Sequence, residues 1–209
     1  MKKFLAVIAV LLLCVSLCEA RSRFVEFPTV GVCTGSYVRY RANPDTESDI
    51  WGRLNVDDKV IIDGQTVVDG ELWYEILPSN AQDSAFVFGK YIVPYYDEEI
   101  QQSEIGKFII KILLTYAPYK DNDYYDEYES GPEVKRRYDE KGWLVRVEAW
   151  KTGCSFGDVK IGDNVSVLSD KLGEPDSMSD SAWRYIAGSS TLLTFNIKDG
   201  KIVRMIYEE

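Results

Sequence analysis

Hydrophobic and polar positions alternate over short stretches between residues 31 and 95. Stretches rich in valine, isoleucine, tyrosine and tryptophan are separated by turn-forming residues, of which Asp63-Gly64 is one example. Alternation of this kind places successive side chains on opposite faces of a strand. The pattern predicts a small all-β barrel with strands near 36–41, 50–54, 59–63, 66–68, 72–77 and 85–88.

The second half of the chain mixes two periodicities. Apolar residues recur with helical spacing over 105–116, and Pro118 ends that stripe. A strand over 108–114 is the alternative. A short helix is predicted from 165 to 172, with Asp163 as its N-cap and Gly173 just past its end. The remaining segments alternate with a period of two, and they predict strands at 133–138, 143–150, 182–186, 191–197 and 201–207.

These patterns together predict two domains. Residues 21–97 form the all-β barrel, and residues 98–209 form an α+β domain in which helices pack on an antiparallel sheet. The segment 97–102 is polar and charged, which favours a domain boundary there. The tetrapeptide Lys198-Asp199-Gly200-Lys201 predicts a tight hairpin turn between the last two strands.

The first twenty residues have the features of an export signal. Lys2 and Lys3 precede an apolar run, and Cys18-Glu19-Ala20 is a small-x-small cleavage site. We therefore expect residues 1–20 to be a signal peptide and the mature protein to be periplasmic or secreted, with no membrane insertion after cleavage. A lipid on Cys18 is the alternative. Leu17 stands where a lipoprotein signal has a small residue, which favours soluble export.

Charge and composition exclude several classes of function. The chain of 209 residues has a formal charge of −10 and no histidine. Histidine-dependent catalytic triads and histidine-ligated metals are thereby excluded, and the acidic balance disfavours nucleic acid as a partner. The Gly-x-Ser-x-Gly motif at 153–157 lacks a base for its serine. We expect a protein that is not an enzyme and needs no cofactor or metal.

Two cysteines remain once the predicted signal peptide is removed. Cys33 and Cys154 then form an even pair in an oxidising compartment, which favours a disulfide between them. Two buried thiols are the alternative.

Four segments of residues 31–95 form a recognisable series, namely 38–46, Ile50-Trp51-Gly52, Trp73-Tyr74-Glu75-Ile76 and the closing segment 87–92. With this series, residues 31–95 resemble a bacterial SH3 domain. It implies a non-catalytic module that binds a cell-wall peptide. Ala85-Phe86 stands where the family commonly has Gly-Trp. Three aromatic residues are candidates for one ligand groove, namely Trp51, Trp73 and Tyr91. The alternative is that they lie in the core, because so small a barrel needs several large side chains to bury enough surface.

The last fifty residues resemble a second family. The order Leu172-Gly173-Glu174-Pro175, then Trp183 and Tyr185, then Asp199-Gly200-Lys201 is similar to the small domain of an outer-membrane assembly lipoprotein (SmpA/OmlA-like) and of β-lactamase-inhibitor-like proteins. The resemblance implies helices layered on an antiparallel sheet and binding to other proteins. It assigns no functional residue here.

An acidic, tyrosine-rich segment joins the predicted helix to the sheet of the second domain. Its aromatic candidates for binding are Tyr119, Tyr124 and Tyr125, which lie among aspartates and glutamates and would suit a cationic peptide. The spacing of the carboxylates over 121–126 also admits calcium, although the glycine and distal glutamate of an EF-hand are missing. A solvated connecting loop is the third interpretation.

The predicted function is therefore binding. We expect an exported, non-catalytic protein of the bacterial cell envelope whose SH3-like module recognises a cell-wall peptide or an envelope protein. The alternative is a secreted inhibitor of a hydrolase that acts through the C-terminal domain and the tyrosine-rich segment.

Overall fold

The computed structural model describes residues 24, 26–78, 83–116, 129–130 and 134–209. The chain divides into two compact units, Met1–Leu77 with Asp83–Pro94 and Pro78–Gln82 with Tyr95–Glu209. The predicted signal peptide lies outside the described residues. In the part of the chain that the structure describes, no helix has the length and apolarity needed to cross a membrane.

The first unit is built on one antiparallel sheet. Its strands are β1 (Thr29–Cys33), β2 (Val38–Arg41), β3 (Ile50–Leu54), β4 (Lys59–Val68), β5 (Glu71–Leu77), β6 (Ala85–Phe88) and β7 (Ile92–Pro94). A 3₁₀ turn, Gly89–Tyr91, joins the last two. The seven strands lie in the order β3-β2-β6-β5-β4-β1-β7.

Alternation along the strands forms the core of the first unit. In β2, Val38 and Tyr40 are buried, whereas Arg39 and Arg41 point to the other face. Tyr74 of β5 is fully buried, and the ring of Phe24 meets it edge-on with centroids 4.9 Å apart. Inward positions of the strands thus supply one apolar cluster, which contains Cys33, Val38, Tyr40, Leu54, Val60, Ile62, Tyr74, Ile76, Ala85, Val87 and Ile92.

One strand of this sheet differs from its prediction. The sequence predicts two strands, 59–63 and 66–68, with a turn at Asp63-Gly64, but β4 runs without a break through that position. Ile62 pairs with Ile76 while Gly64 pairs with Glu75, so Asp63 is the extra residue of a β-bulge. The bulge bends the strand while keeping it paired, which is why turn-forming residues do not end it.

The second unit contains a larger antiparallel sheet. Its helices are α1 (Glu98–Gln102), α2 (Glu104–Tyr116) and α3 (Ser166–Leu172). Its strands are β8 (Glu129–Ser130), β9 (Val134–Tyr138), β10 (Leu144–Ala149), β11 (Ser155–Phe156), β12 (Val159–Lys160), β13 (Ser177–Ser179), β14 (Ala182–Ala187), β15 (Thr191–Lys198) and β16 (Lys201–Glu208). Seven strands lie in the order β13-β14-β15-β16-β10-β9-β8, and β11 and β12 form a separate hairpin.

Helix α2 covers one face of the second sheet. The predicted helix over 105–116 is confirmed, and its apolar stripe packs on the sheet, where Phe108 lies 6.3 Å from the ring of Phe195. The alternative strand over 108–114 is wrong. Lys111 of α2 and Lys171 of α3 both contact Asp158 in the turn of the β11–β12 hairpin, at 2.9 and 3.9 Å.

The ends of α3 agree only in part with the sequence. Gly173 follows the helix with a φ of 76°, as predicted for a residue at this end. The prediction of Asp163 as the N-cap is wrong, because α3 begins at Ser166 and the residue that flanks it is Val165. Asp163 instead accepts a hydrogen bond from the backbone of Lys160 at 2.8 Å.

The predicted fold class, an all-β barrel followed by an α+β domain, is wrong. Of the described residues, 48% are in strands and 17% in helices, so the chain is mostly β with two large antiparallel sheets. Helices α1 and α3 contain only five and seven residues, too few to form a layer, while β15 and β16 contain eight each. Strands therefore predominate over helices in the second half of the chain, where most segments alternate with a period of two and only one long segment has helical spacing.

The division between the units falls between Pro94 and Tyr95. Tyr96 is buried and its hydroxyl lies 3.2 Å from that of Thr191 in β15, so both tyrosines that follow Pro94 belong to the second unit. The polar segment at 97–102 is a helix, capped by Asp97, whose side chain accepts a hydrogen bond from Ile100 at 2.9 Å.

The predicted disulfide is not formed in the structure. Cys33 is fully buried in the core of the first unit, and its thiol donates a hydrogen bond to the carbonyl of Gly35 at 3.3 Å. Cys154 is a buried thiol of the second unit. Each sulfur therefore lies within its own unit, which corresponds to the alternative of two buried thiols.

The Gly-x-Ser-x-Gly motif has a local structural role. Ser155 begins the β11–β12 hairpin, and its carbonyl accepts a hydrogen bond from the Tyr116 hydroxyl at 2.6 Å. A nucleophile elbow needs a strand-to-helix turn, whereas this serine lies at the start of an antiparallel hairpin.

Candidate functional site

A groove of about 1050 Å³ lies on the first unit. We call it the aromatic groove. Its sides come from β2, from the loop that joins β2 to β3, from the β4–β5 turn and from the 3₁₀ turn after β6. The residues that line it are Ser36, Tyr37, Val38, Arg39, Arg41, Asn43, Pro44, Asp45, Thr46, Glu47, Ser48, Val68, Asp69, Glu71, Trp73, Phe88 and Tyr91.

Three aromatic rings form one side of the groove. The ring of Phe88 lies 5.3 Å from Trp73 and 6.3 Å from Tyr91, centroid to centroid. The Lys90 ammonium lies 4.8 Å from the centroids of both Phe88 and Tyr91. Rings held by each other and by a cation keep their orientation, so this side of the groove is a prearranged apolar contact surface.

Two arginines enter the groove because of the alternation along β2. Burying Val38 and Tyr40 turns Arg39 and Arg41 to the opposite face of the strand, and both line the groove. Arg41 also donates a hydrogen bond to the carbonyl of Ser48 at 2.6 Å. That bond holds the guanidinium against the loop, while Arg39 is exposed and is available to a ligand.

The loop between β2 and β3 is ordered by side chains of its own. The Asp45 carboxylate accepts hydrogen bonds from the backbone of Glu47 at 2.8 Å and of Ser48 at 2.6 Å. The Ser48 hydroxyl donates to the carbonyl of Asn43 at 3.0 Å. An aspartate that bonds the backbone two and three residues ahead makes a compact turn, so this side of the groove is preshaped.

The groove presents both signs of charge next to its aromatic side. The cations are Arg39 and Arg41, and the acidic lining residues are Asp45, Glu47, Asp69 and Glu71. Ligand sites commonly combine aromatic side chains with a few polar groups that set the orientation of the ligand. The arrangement suits a molecule that carries both amino and carboxyl groups beside an apolar part.

The structure brings together two of the three aromatic residues predicted in the first domain. Trp73 and Tyr91 both line the groove, although Trp73 is only 5% exposed. Trp51 lies on β3, at the edge of the sheet, and is not among the residues that line the groove. Tyr119, Tyr124, Tyr125 and the predicted calcium segment 121–126 lie outside the described residues.

Sequence reasoning missed the residues that complete the groove. Phe88 supplies its central ring, and Tyr37, which is 74% exposed with a φ of 55°, stands at its rim. The sequence pattern could have indicated Phe88 as a groove residue, because it alternates with the buried Val87 and precedes Lys90 and Tyr91. The positive φ of Tyr37 has no local signal, since a bulky residue rarely adopts that conformation.

The chain has little detectable similarity to known proteins. No family model and no curated protein sequence matches the chain. A solved structure, the C-terminal domain of TagH, aligns over 88% of this chain and 98% of that chain with 14% sequence identity and a TM-score of 0.28. A similarity of that size carries no argument about fold or function.

Proposed function

We propose that the protein is an exported, non-catalytic binding protein of the bacterial cell envelope, and that its aromatic groove holds a cell-wall peptide. The observation that carries the proposal is one groove in which the Phe88 ring packs against both Trp73 and Tyr91 beside charges of both signs. Export is supported by the basic and apolar pattern of the first twenty residues.

The chemistry of cell-wall peptides agrees with this groove. Such a peptide carries free amino and carboxyl groups along a short, partly apolar chain. Its carboxylate would pair with Arg39, its amino group with Glu47 or Glu71, and its apolar side chains would lie on Phe88 and Tyr91. The preshaped loop lowers the entropy that is lost when the ligand is ordered.

The test is a titration of the purified protein with a soluble muramyl stem peptide, followed by calorimetry. Replacing Tyr91 by alanine removes one ring from the groove, and we expect affinity to fall about tenfold, the effect of losing one aromatic contact. Arg39→Glu should weaken binding as well, because it turns an attraction for the carboxylate into a repulsion.

The matched control is Trp51→Ala. This residue is also an exposed aromatic of the first unit, 46% accessible, but it lies outside the groove. Its replacement should leave the affinity unchanged. A peptide that binds the Tyr91 and Trp51 variants equally well, or does not bind the unmodified protein, contradicts the proposal.

A further inference from the structure

One face of the second sheet is turned away from α2. Along β15, Leu193 and Phe195 are buried beneath the helix, so Leu192, Thr194 and Asn196 lie on the opposite face. Ile186 of β14 lies on that opposite face too and is 55% exposed. We call this surface the open face.

Strand pairing gathers cations on the open face. Arg137, Arg146 and Glu208 are neighbours in one cross-strand row, and Lys135, Glu148 and Ile206 are neighbours in the next. Besides the Lys198–Lys201 pair at the β15–β16 hairpin end, five cations and two carboxylates of the described residues lie on this face, in a chain whose net charge is −10. The five cations are Lys135, Arg137, Arg146, Arg184 and Arg204.

Neighbouring arginines already neutralise the two carboxylates. Arg146 contacts Glu208 at 2.6 Å and Glu148 at 3.3 Å, and Arg204 pairs with the other oxygen of Glu148. Arg184 is exposed and forms no ion pair with any described residue. The face therefore retains an excess of positive charge, and its ion pairs hold several of the guanidinium groups in place.

A hollow of about 480 Å³ on the same face combines these charges with apolar surface. Trp150 and Val203 line it and are 37% and 39% exposed. Asn196 lines the hollow as well, so a polar side chain lies beside its apolar surface.

We propose that the open face docks an acidic, extended protein segment, with an apolar side chain of the segment seated on Trp150 and Val203. The positive excess attracts carboxylates from a distance and Arg184 pairs with one of them. Tryptophan and arginine are the residue types that dominate binding energy at protein interfaces. The exposed apolar surface of Trp150 and Val203 favours a polypeptide, which carries apolar side chains, over a purely anionic polymer.

The test uses the purified full chain and a fluorescein-labelled peptide of alternating glutamate and leucine, with binding read by fluorescence anisotropy. We expect Arg184→Glu to weaken binding about fivefold, more at low salt than at high salt. Trp150→Ala should weaken binding about tenfold at either salt concentration, because an apolar contact is not screened.

Two matched variants test whether the probe binds at the open face. Lys160→Glu makes the same change in net charge on β12, outside the open face, and should bind the probe as the unmodified protein does. Arg39→Glu makes that change in the aromatic groove and shows whether the groove takes the probe instead. If Arg39→Glu alone weakens binding, the groove and not the open face takes acidic peptides, and the proposal is overturned.

A parallel titration uses phosphatidylglycerol vesicles. Vesicle binding that is insensitive to Trp150→Ala, together with no binding of the peptide, overturns the proposal in favour of an anionic surface. Absence of any binding also overturns it. Because Arg184 is exposed, its variant should fold normally, so the test remains decisive if Trp150→Ala is unstable.

Discussion

Glu148 shows how single residues determine the charge of the second sheet. It lies on β10 and is only 8% exposed, with one carboxylate oxygen bound by Arg204 and the other by Arg146. Burial by itself opposes ionisation and raises the pKa of Glu148. The hydrogen bonds and positive charges of the two arginines outweigh that effect and hold the pKa below its ordinary value.

The first prediction concerns the acid sensitivity that follows from this pKa. A carboxyl group with a depressed folded pKa stabilises the protein above the pKa of an unfolded glutamate, about 4.3, and this contribution is lost as pH falls through the lower folded pKa. Glu148→Gln should therefore lower the free energy of unfolding by about 1–3 kcal/mol at neutral pH. Urea unfolding at a series of pH values should show this difference shrinking toward strongly acidic pH.

Glu140→Gln is the control. Glu140 is exposed in the turn between β9 and β10 and has no ion pair with a described residue. Its replacement should leave the unfolding curve nearly unchanged at every pH. A difference between Glu148→Gln and the unmodified protein that stays constant across the pH range would show that the ion pairs do not control the pKa.

At the scale of elements, hydrogen bonds of Ser103 and the absence of a side chain at Gly106 allow α1 and α2 to pack closely at their junction. Ser103 separates the two helices, and its hydroxyl donates to the carbonyl of Ile100 at 2.8 Å and accepts from the backbone of Gly106 at 3.0 Å. A Cβ at Gly106 would overlap the carbonyl oxygen of Ile100. The two helices therefore meet closely because residue 106 is glycine.

The second prediction is that Gly106→Ala destabilises the second unit. Helix propensity alone predicts the opposite, a gain of about 1 kcal/mol for alanine within a helix. The overlap here is with backbone, which cannot rotate away, so we expect a net loss of about 1–3 kcal/mol. Thermal unfolding measures the sign directly.

Gly64→Ala is the matched control, because a Cβ there meets nothing nearer than 3.5 Å and the backbone has no positive φ. Gly64→Ala should therefore change the midpoint of thermal unfolding little. An increase in thermal stability for Gly106→Ala would mean that the two helices can separate slightly without loss.

At the scale of the whole molecule, the division after Pro94 assigns Tyr95 and Tyr96 to the second unit. Their rings pack edge-to-face with centroids 4.8 Å apart, and the Tyr95 hydroxyl donates to the Glu209 side chain at 2.6 Å. The Trp143 indole and the Tyr207 hydroxyl bind the other oxygen of Glu209. The chain entering the second unit and the end of β16 are thus joined through one carboxylate.

The third prediction tests this assignment with Tyr96→Ala in the full chain. Removing a buried aromatic side chain should cost about 3–5 kcal/mol of unfolding free energy. Hydrogen exchange followed by mass spectrometry should show faster exchange in peptides from β14, β15 and β16, and unchanged exchange in β4 and β5. Tyr37→Ala, at an exposed position of the first unit, should alter neither set. Faster exchange confined to β4 and β5 would place Tyr96 in the first unit.

Local periodicity was enough to predict most of the individual elements. The stripe of apolar residues from Ile105 to Tyr116 corresponds to α2, and the alternation after Thr191 corresponds to β15. The hairpin at Asp199-Gly200 has positive φ at both residues, as its sequence predicts. These features succeed because they depend on interactions between residues close together in the chain.

The binding surfaces could not be predicted in the same way, because they depend on which strands become neighbours. Alternation indicates that Arg39 and Arg41 share a face of β2, but not that Phe88 and Glu71 lie nearby or that Trp51 does not. The bulge at Asp63 keeps β4 paired across a sequence that is typical of a turn. Such outcomes are set by long-range pairing and burial, whose energies outweigh local preference, and a linear pattern does not record them.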